Sequence, residues 1–267
     1  MYASIMKELL NITIIQTALF AEDINKNLDM FDDKIDRMDT PTDLIILPEM
    51  FTTGLLKTPE KFAQKMDGQT VAWMRRKAAE KQCAITGSIL ITENRNRYNR
   101  LVFAKADGSI ATYDKKHLIR MMGEDKVCTP GDTKTLINLH GWRICPFICY
   151  DLRFPVWSRN FNNAYDVAIY VANWPAVRSY HFKVLLVARA IENQCYVAGV
   201  NRTGTDQQDI SYSGDSCIID PLGRTMFDAS DTRCIHTTEL SYPDLQSYRK
   251  EFPAWMDADT IENGKCS

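Results

Sequence analysis

Arg143-Ile144-Cys145-Pro146-Phe147-Ile148-Cys149-Tyr150-Asp151-Leu152-Arg153-Phe154-Pro155 is an apolar, strand-like run that stops at Cys149 and passes into a turn and a helix start. Asp151 is a side-chain turn former, and Pro155 suits the first turn of a helix, where no N–H partner is needed. Downstream, residues 166–171 read as a second buried strand, 179–193 as a long helix carrying Phe182, Leu185, Leu186, Ala188 and Ile191, and 196–200 as a third strand. A strand, helix, strand order is a βαβ unit, which favours parallel strands with helices outside them. Upstream, 135–139 and 142–148 form a hairpin turned at His140-Gly141.

A second βαβ unit opens the chain. Residues 11–16 and 43–47 are short apolar strands, and between them 23–38 place Ile24, Leu28, Phe31 and Ile35 at spacings of three and four, as an amphipathic helix does. The stretch between the two units predicts a helix over 69–82 and strands over 84–91, 99–104 and 109–114. After Cys149 a helix is expected over 155–162. The chain closes with strands at 215–220 and 234–239 around Pro221-Leu222-Gly223, then a polar tail. No linker, repeat or low-complexity segment interrupts the order, so the expected fold is α/β, one domain over 1–267 with two helix layers outside two strand layers.

Composition narrows the function. The chain has 267 residues, 45% hydrophobic and 25% charged, and its 32 Lys plus Arg nearly balance 34 Asp plus Glu. No net field favours nucleic acid or an anionic membrane. No apolar run approaches the roughly 20 residues that span a bilayer, and the first eleven residues lack a signal peptide's basic start and apolar core, so the cytoplasm is the expected compartment. The eight cysteines (83, 128, 145, 149, 195, 217, 234, 266) mostly sit inside apolar runs and read as reduced thiols rather than a disulfide framework. No Cys-x-x-Cys occurs and the four histidines (117, 140, 181, 236) show no close pairing, so no metal site is expected.

The thiol of Cys149 stands where a buried strand meets a loop, a place where neighbouring backbone N–H groups are free to face a substrate. Cysteine also commonly just fills space, and this stretch alone leaves both readings open. Two other polar groups end predicted apolar strands: Glu49, in Leu47-Pro48-Glu49-Met50-Phe51, and Lys115, in Tyr113-Asp114-Lys115-Lys116-His117-Leu118. In an α/β sheet ligands bind at the carboxyl ends of strands, so three such ends can converge although they lie far apart in sequence. Taken singly, Glu49 can cap its turn and Lys115 can be one of a solvated pair of lysines.

These three segments resemble, in order and spacing, the motifs of the nitrilase (carbon-nitrogen hydrolase) superfamily. Asn173-Trp174-Pro175, Ala188-Arg189-Ala190-Ile191-Glu192-Asn193 and Gly214-Asp215-Ser216 are similar to that family too, and the chain is most similar to its omega-amidase branch. The resemblance implies a four-layer αββα sandwich with a Glu-Lys-Cys triad: Glu49 as base, Lys115 as charge stabiliser, Cys149 as nucleophile. Glu124, followed by Thr129-Pro130-Gly131, matches the family's second glutamate, although it can also merely pair with Lys115. Two departures concern pocket walls: Cys128 stands where an aromatic is usual, and Ile119 follows Leu118 where Phe is usual.

The implied activity is hydrolysis of a small linear amide through a cysteine thioester, with no cofactor and no metal, by a homodimer or higher homo-oligomer. The omega-amide of a 2-oxo dicarboxylic acid, such as 2-oxoglutaramate or 2-oxosuccinamate, is the expected substrate. The alternatives are a deaminated-glutathione amidase, an N-carbamoyl-amine hydrolase, a nitrilase, or a binding protein of the same fold without turnover. The backbone N–H of Tyr150 is the expected oxyanion donor. Arg153 and Arg178 are candidate anchors for a substrate carboxylate, or else partners in structural salt bridges, and Phe51 and Trp174 either line the pocket or simply pack. His117 is the rival base, since Cys-His pairs are common in thiol enzymes, but a structural hydrogen-bonding role is the favoured reading.

Overall fold

Strand β1, Leu9–Gln16, alternates as a two-sided strand must: Leu10, Ile12 and Ile14 face one hydrophobic layer and Ile15 another. The computed structural model describes residues 6–56, 59–259, 261–262 and 265–266, the last four by their backbone. Helix α1 (Ile24–Asp36) follows, capped by the Asp23 carboxylate on the Lys26 N–H at 3.0 Å, and buries Leu28, Phe31 and Ile35. Then come β2 (Leu44–Ile46), α2 (Gln69–Lys81), β3 (Ala84–Glu93), β4 (Asn96–Ala104) and β5 (Ile110–Asp114). The hairpin β6 (Ile137–Leu139) and β7 (Trp142–Ile148) leads through a short helix α3 (Pro155–Ser158) to β8 (Val167–Val171), α4 (Ser179–Asn193) and β9 (Tyr196–Val200). A small ribbon, β10 (Thr203–Thr205) with β11 (Ser211–Ser213), precedes β12 (Cys217–Ile219), β13 (Thr225–Asp228), β14 (Cys234–Ser241) and α5 (Tyr242–Glu251).

Two six-stranded sheets result, in the orders β14-β1-β2-β3-β4-β5 and β13-β12-β9-β8-β7-β6. Their centres are parallel, with Ile12 opposite Leu44 and Leu44 opposite Ala84 in the first, and Ile144 opposite Val167 and Val167 opposite Tyr196 in the second. Leu28, Phe31 and Ile35 of α1 and Val71, Met74 and Ala78 of α2 pack on the outer face of the first sheet, against Ile45, Ile85 and Val102. The inner faces of both sheets share one core, which also takes Phe182, Leu186 and Ala190 from α4. The architecture is the expected αββα sandwich, with helices outside two facing sheets.

Three local expectations need correction. The helix expected over 155–162 stops at Ser158: the Asn160 carboxamide bonds the Tyr165 and Asn193 main chain, an alternative to helical pairing, and Asn162 and Asn163 turn left-handed at φ 53° and 51°. Pro221-Leu222-Gly223 closes the β12–β13 hairpin, so the strands expected at 215–220 and 234–239 fall in different sheets, β14 pairing with β1. The polar tail begins with a helix, α5. Ser241 caps it by accepting the Asp244 N–H at 3.3 Å, Leu245 is buried, and Arg249 reaches Asp166 at 2.8 Å and the Tyr165 carbonyl at 2.7 Å. The seven cysteines whose side chains are described are free thiols, and the side chain of Cys266 lies outside the described residues. No helix among the described residues is long and apolar enough to cross a membrane.

Candidate active site

Loops leaving the ends of β2, β5, β7 and β8 meet at a cavity of about 170 Å³. Glu49 stands three residues past β2 and is almost fully buried. The chain reverses sharply after it, with Met50 at φ 47° and its N–H donated to Ser88 Oγ at 3.0 Å. The carboxylate accepts from three donors: Lys115 Nζ at 3.0 Å and Asn99 Nδ2 at 2.8 Å on Oε1, and the Asn173 main-chain N–H at 2.8 Å on Oε2.

Lys115 follows β5 directly and is 2% exposed. Its ammonium also meets both oxygens of Glu124, at 2.8 and 3.0 Å, and Glu124 Oε2 in turn accepts the Ile119 N–H at 2.9 Å. Burial opposes the charge on Lys115, but Glu49 and Glu124 outweigh it and hold the group well above the ordinary lysine range. A permanent cation therefore stands between two carboxylates on the cavity floor.

Cys149 is the first residue after β7, 3% exposed, at φ 44° in the left-handed region that a side chain rarely adopts. Such strain in a non-glycine residue persists only where the surroundings hold it. Burial first, and then the Glu49 charge, push the thiol well above its usual range, while Lys115 and the Asn173 N–H pull the other way. The balance favours the protonated thiol, and the nearby Glu49 carboxylate contributes to it.

What holds the turn at Cys149 is Asp151, fully buried, which accepts the Ile148 N–H at 3.1 Å, the Tyr113 hydroxyl at 2.7 Å, and both the N–H and Nδ1 of His117 at 2.9 and 2.8 Å. The His117 ring stacks on Phe154 at 3.7 Å and is not part of the cavity lining. His117 is thus held by Asp151 and Phe154, as the favoured reading of the sequence has it.

Of the residues marked for binding, Tyr150, Arg153, Trp174 and Arg178 line the cavity, as do Ile119 and Cys128. Arg153 lies over the Trp174 ring at 4.7 Å and meets His181 Nδ1 at 3.2 Å, and the Trp174 indole N–H is donated to the Arg178 carbonyl at 2.8 Å. Neither arginine forms an ion pair with Asp or Glu among the described residues, unlike Arg100, Arg143, Arg189 and Arg249. Phe51 is not part of the lining. The left-handed turn at Met50 breaks the alternation from Glu49 and sends Phe51 outward, against Phe31 at 5.6 Å and Trp73 at 6.0 Å. Asn99 and Asn173, which hold the Glu49 carboxylate, carry no assigned role in the sequence reading.

Residues 11–250 match the model of the carbon-nitrogen hydrolase family. The chain belongs to that family. It is 44% identical over 251 residues to the omega-amidase YafV of Escherichia coli, covering 94% of this chain and 97% of that protein. To the 2-oxoglutaramate amidase of Bacillus subtilis it is 33% identical, over 84% and 87% of the two chains. A crystal structure of a CN-hydrolase superfamily protein from Xanthomonas campestris, with an arsenic adduct in its active site, superposes with a TM-score of 0.93 at 39% identity, covering 97% of this chain and 100% of that one. This carbon-nitrogen hydrolase is an amidase of the nitrilase superfamily, acting on C–N bonds. Among its described residues no cluster of three or more His, Cys, Asp or Glu is arranged to hold a metal.

Proposed function

We propose that this amidase hydrolyses the omega-amide of a small dicarboxylic 2-oxo acid through a thioester on Cys149. The observation that carries the reading is the buried Glu49–Lys115–Glu124 ion cluster beside Cys149 in a cavity also lined by two arginines that have no carboxylate partner among the described residues. Glu49 takes the thiol proton as sulfur attacks the amide carbon, and the oxyanion forms against the Lys115 ammonium and the Tyr150 N–H. The C–N bond breaks, the proton held by Glu49 passes to nitrogen, and ammonia leaves. Water then gives a proton to Glu49, attacks the thioester and releases the acid, with the proton returning to sulfur.

The distal carboxylate of such a substrate needs a cation, and Arg153 and Arg178, in the cavity lining and without an acidic partner among the described residues, supply it. The names of the relatives, an omega-amidase and a 2-oxoglutaramate amidase, support the same substrate class. Leu56, Leu90, Met122 and Val127 give the apolar wall along which a short chain lies.

The test is ammonia release from 2-oxosuccinamate and 2-oxoglutaramate, together with mass spectrometry of acid-quenched enzyme. An acyl adduct is expected on Cys149 alone, absent in Cys149→Ala, and Glu49→Gln should fold yet lose activity by several orders of magnitude. An adduct on Cys145 or Cys128, or turnover by Cys149→Ala, refutes the assignment.

A further inference from the structure

Beyond the cluster around Glu49, the polar side chains in the cavity lining among the described residues are those of Cys128, Tyr150, Arg153, Arg178 and Gln208, with Trp174 already giving its indole N–H to the Arg178 carbonyl. Gln208 comes from neither of the two large sheets. It stands at the tip of the β10–β11 ribbon, and β11 lies beside the turn Ala176–Arg178, which brings the tip to the Arg178 side of the cavity. Asp206 builds that tip. Its Oδ1 accepts the main-chain N–H groups of Gln208 at 2.8 Å and Ile210 at 3.1 Å, and its Oδ2 accepts the Tyr212 hydroxyl at 2.8 Å. The Asp206 N–H closes the turn on the Ile210 carbonyl at 3.0 Å, and the Tyr212 ring lies under the Arg202 guanidinium at 4.7 Å. A carboxylate that takes two backbone donors stiffens a turn without help from the side chain at its apex. The Gln208 side chain is therefore not what shapes the tip: the residue is exposed, and its carboxamide makes no hydrogen bond among the described residues.

An ionised carboxylate accepts hydrogen bonds at about four positions, and one guanidinium fork fills about two of them. The apolar lining residues Leu55, Leu56, Pro59 and Met122 have no side-chain donor for the others. A carboxamide on a stiff tip beside Arg178 does. Resting on the acidic-amide reading above, we propose that Gln208 donates an Nε2–H to the substrate carboxylate remote from the scissile amide, and is a specificity-determining residue for that end of the substrate. The arginines supply charge, which attracts from any direction, whereas a neutral donor on a fixed turn selects a direction. Gln208 takes no part in making or breaking a bond, so its contribution belongs to KM and not to kcat.

The experiment measures kcat and KM for succinamate and for butyramide, a neutral amide of equal length, in the wild type, Gln208→Leu, Gln208→Glu and Gln208→Lys, with the inhibition constant of succinate as a reading independent of turnover. All three variants should fold as the wild type does, because Asp206 and the main chain hold the tip. Gln208→Leu is expected to lower the ratio of kcat/KM for succinamate to that for butyramide about fivefold, by loss of one bond to a charged group. Gln208→Glu should lower it at least about thirtyfold, since like charges then face each other, and that loss should shrink at high salt. Gln208→Lys should raise it. The changes should lie in KM, and the inhibition constant of succinate should follow the same order. A ratio that stays within about twofold of wild type in both charged variants places Gln208 away from the carboxylate and overturns the inference, as do equal losses on both amides. A wild type that prefers butyramide is a different result, which removes the acidic substrate, and a wild type that hydrolyses neither amide removes the amidase reading itself; this inference falls with either.

Discussion

Asp151 binds His117 twice, through the main-chain N–H at 2.9 Å and through imidazole Nδ1 at 2.8 Å, and the same carboxylate accepts the Ile148 N–H. One buried carboxylate therefore ties the residue just before Cys149 to the residue two past Lys115, with Tyr113, two before Lys115, as a further donor. Asp151→Asn places an amide N–H2 among donors. It is expected to lower stability by about 2 to 4 kcal/mol, through buried groups left unpaired, and to reduce kcat at least tenfold as nucleophile and cation lose their common anchor. His117→Asn, which keeps the main-chain bond, should retain most activity. Urea unfolding and steady-state kinetics check this, and inactivation by His117→Asn equal to that of Glu49→Gln would return the imidazole to the role of base.

Arg153 and Arg178 differ in how firmly they are held. The guanidinium of Arg153 is braced on the Trp174 ring and His181, whereas Arg178 is bonded through its main chain, its N–H to Pro175 and its carbonyl from Trp174. The braced one is pre-organised to meet a carboxylate, so Arg153→Met should impair 2-oxosuccinamate far more than a neutral amide of equal length. Removing one partner of a desolvated charge pair costs roughly 2 to 5 kcal/mol, so the preference should fall by at least about thirtyfold. Arg178→Met should have a smaller effect. Equal losses on both substrates in both variants would mean that neither arginine reads the carboxylate, and a wild type that prefers the neutral amide would exclude the acidic substrate class.

Stability should fall on the alkaline side. Burial pushes the thiol of Cys83 up to about 11 and those of Cys145 and Cys217 to about 12, from an ordinary value of 9.0. Below pH 8 these thiols are protonated folded or unfolded, and their full contribution is present. Above pH 9 the unfolded chain loses the protons and the folded chain does not, which favours unfolding by about 1 kcal/mol per thiol between pH 8 and 10. Urea midpoints measured with excess reductant should drop between those two pH values. A midpoint that holds steady or rises contradicts the burial of these groups.

Gly131 is pressed against the segment that carries Lys115. Its N–H is donated to the Lys115 carbonyl at 2.9 Å, and a Cβ there would stand 2.2 Å from the Asp114 carbonyl oxygen, closer than contact permits. Gly131→Ala must displace Lys115 and is expected to cut kcat more than a hundredfold. Gly108, at φ 82° with open space around it, offers a contrast: Gly108→Ala should cost about 1 kcal/mol of backbone strain and leave kcat unchanged. Equal activity in the two variants would separate the Gly131 contact from the site.

Glu49, Lys115 and Cys149 are legible in the sequence because each is a polar residue at the end of an apolar run, and strand ends are where a rigid sheet presents side chains. Asn99 has no such mark. It sits inside β4, where one polar residue in a strand reads as a solvent-facing position, and only the register opposite Leu90 turns it inward to Glu49. Phe51 stays open between lining and packing for another reason: the left-handed Met50 that turns it away from the cavity leaves no mark in the sequence. The signal for α5 was present in Ser241-Tyr242-Pro243-Asp244, a cap residue followed by proline and an acid, but with Leu245 as its one buried apolar side chain the helix leaves almost no hydrophobic period to read.

Glu49 and Lys115 are delivered by the sheet that contains β2 and β5, whereas Cys149 and Asn173 come from the sheet that contains β7 and β8. In the proposed mechanism acid–base group and nucleophile are thus carried on separate leaves and become partners only when the two leaves dock. Catalysis is consequently a gauge of docking rather than of secondary structure. A partly denatured state with every strand and helix intact but loosened inter-sheet packing would be chemically inert, and a folding chain would acquire turnover at the last step of assembly, when the halves close on each other.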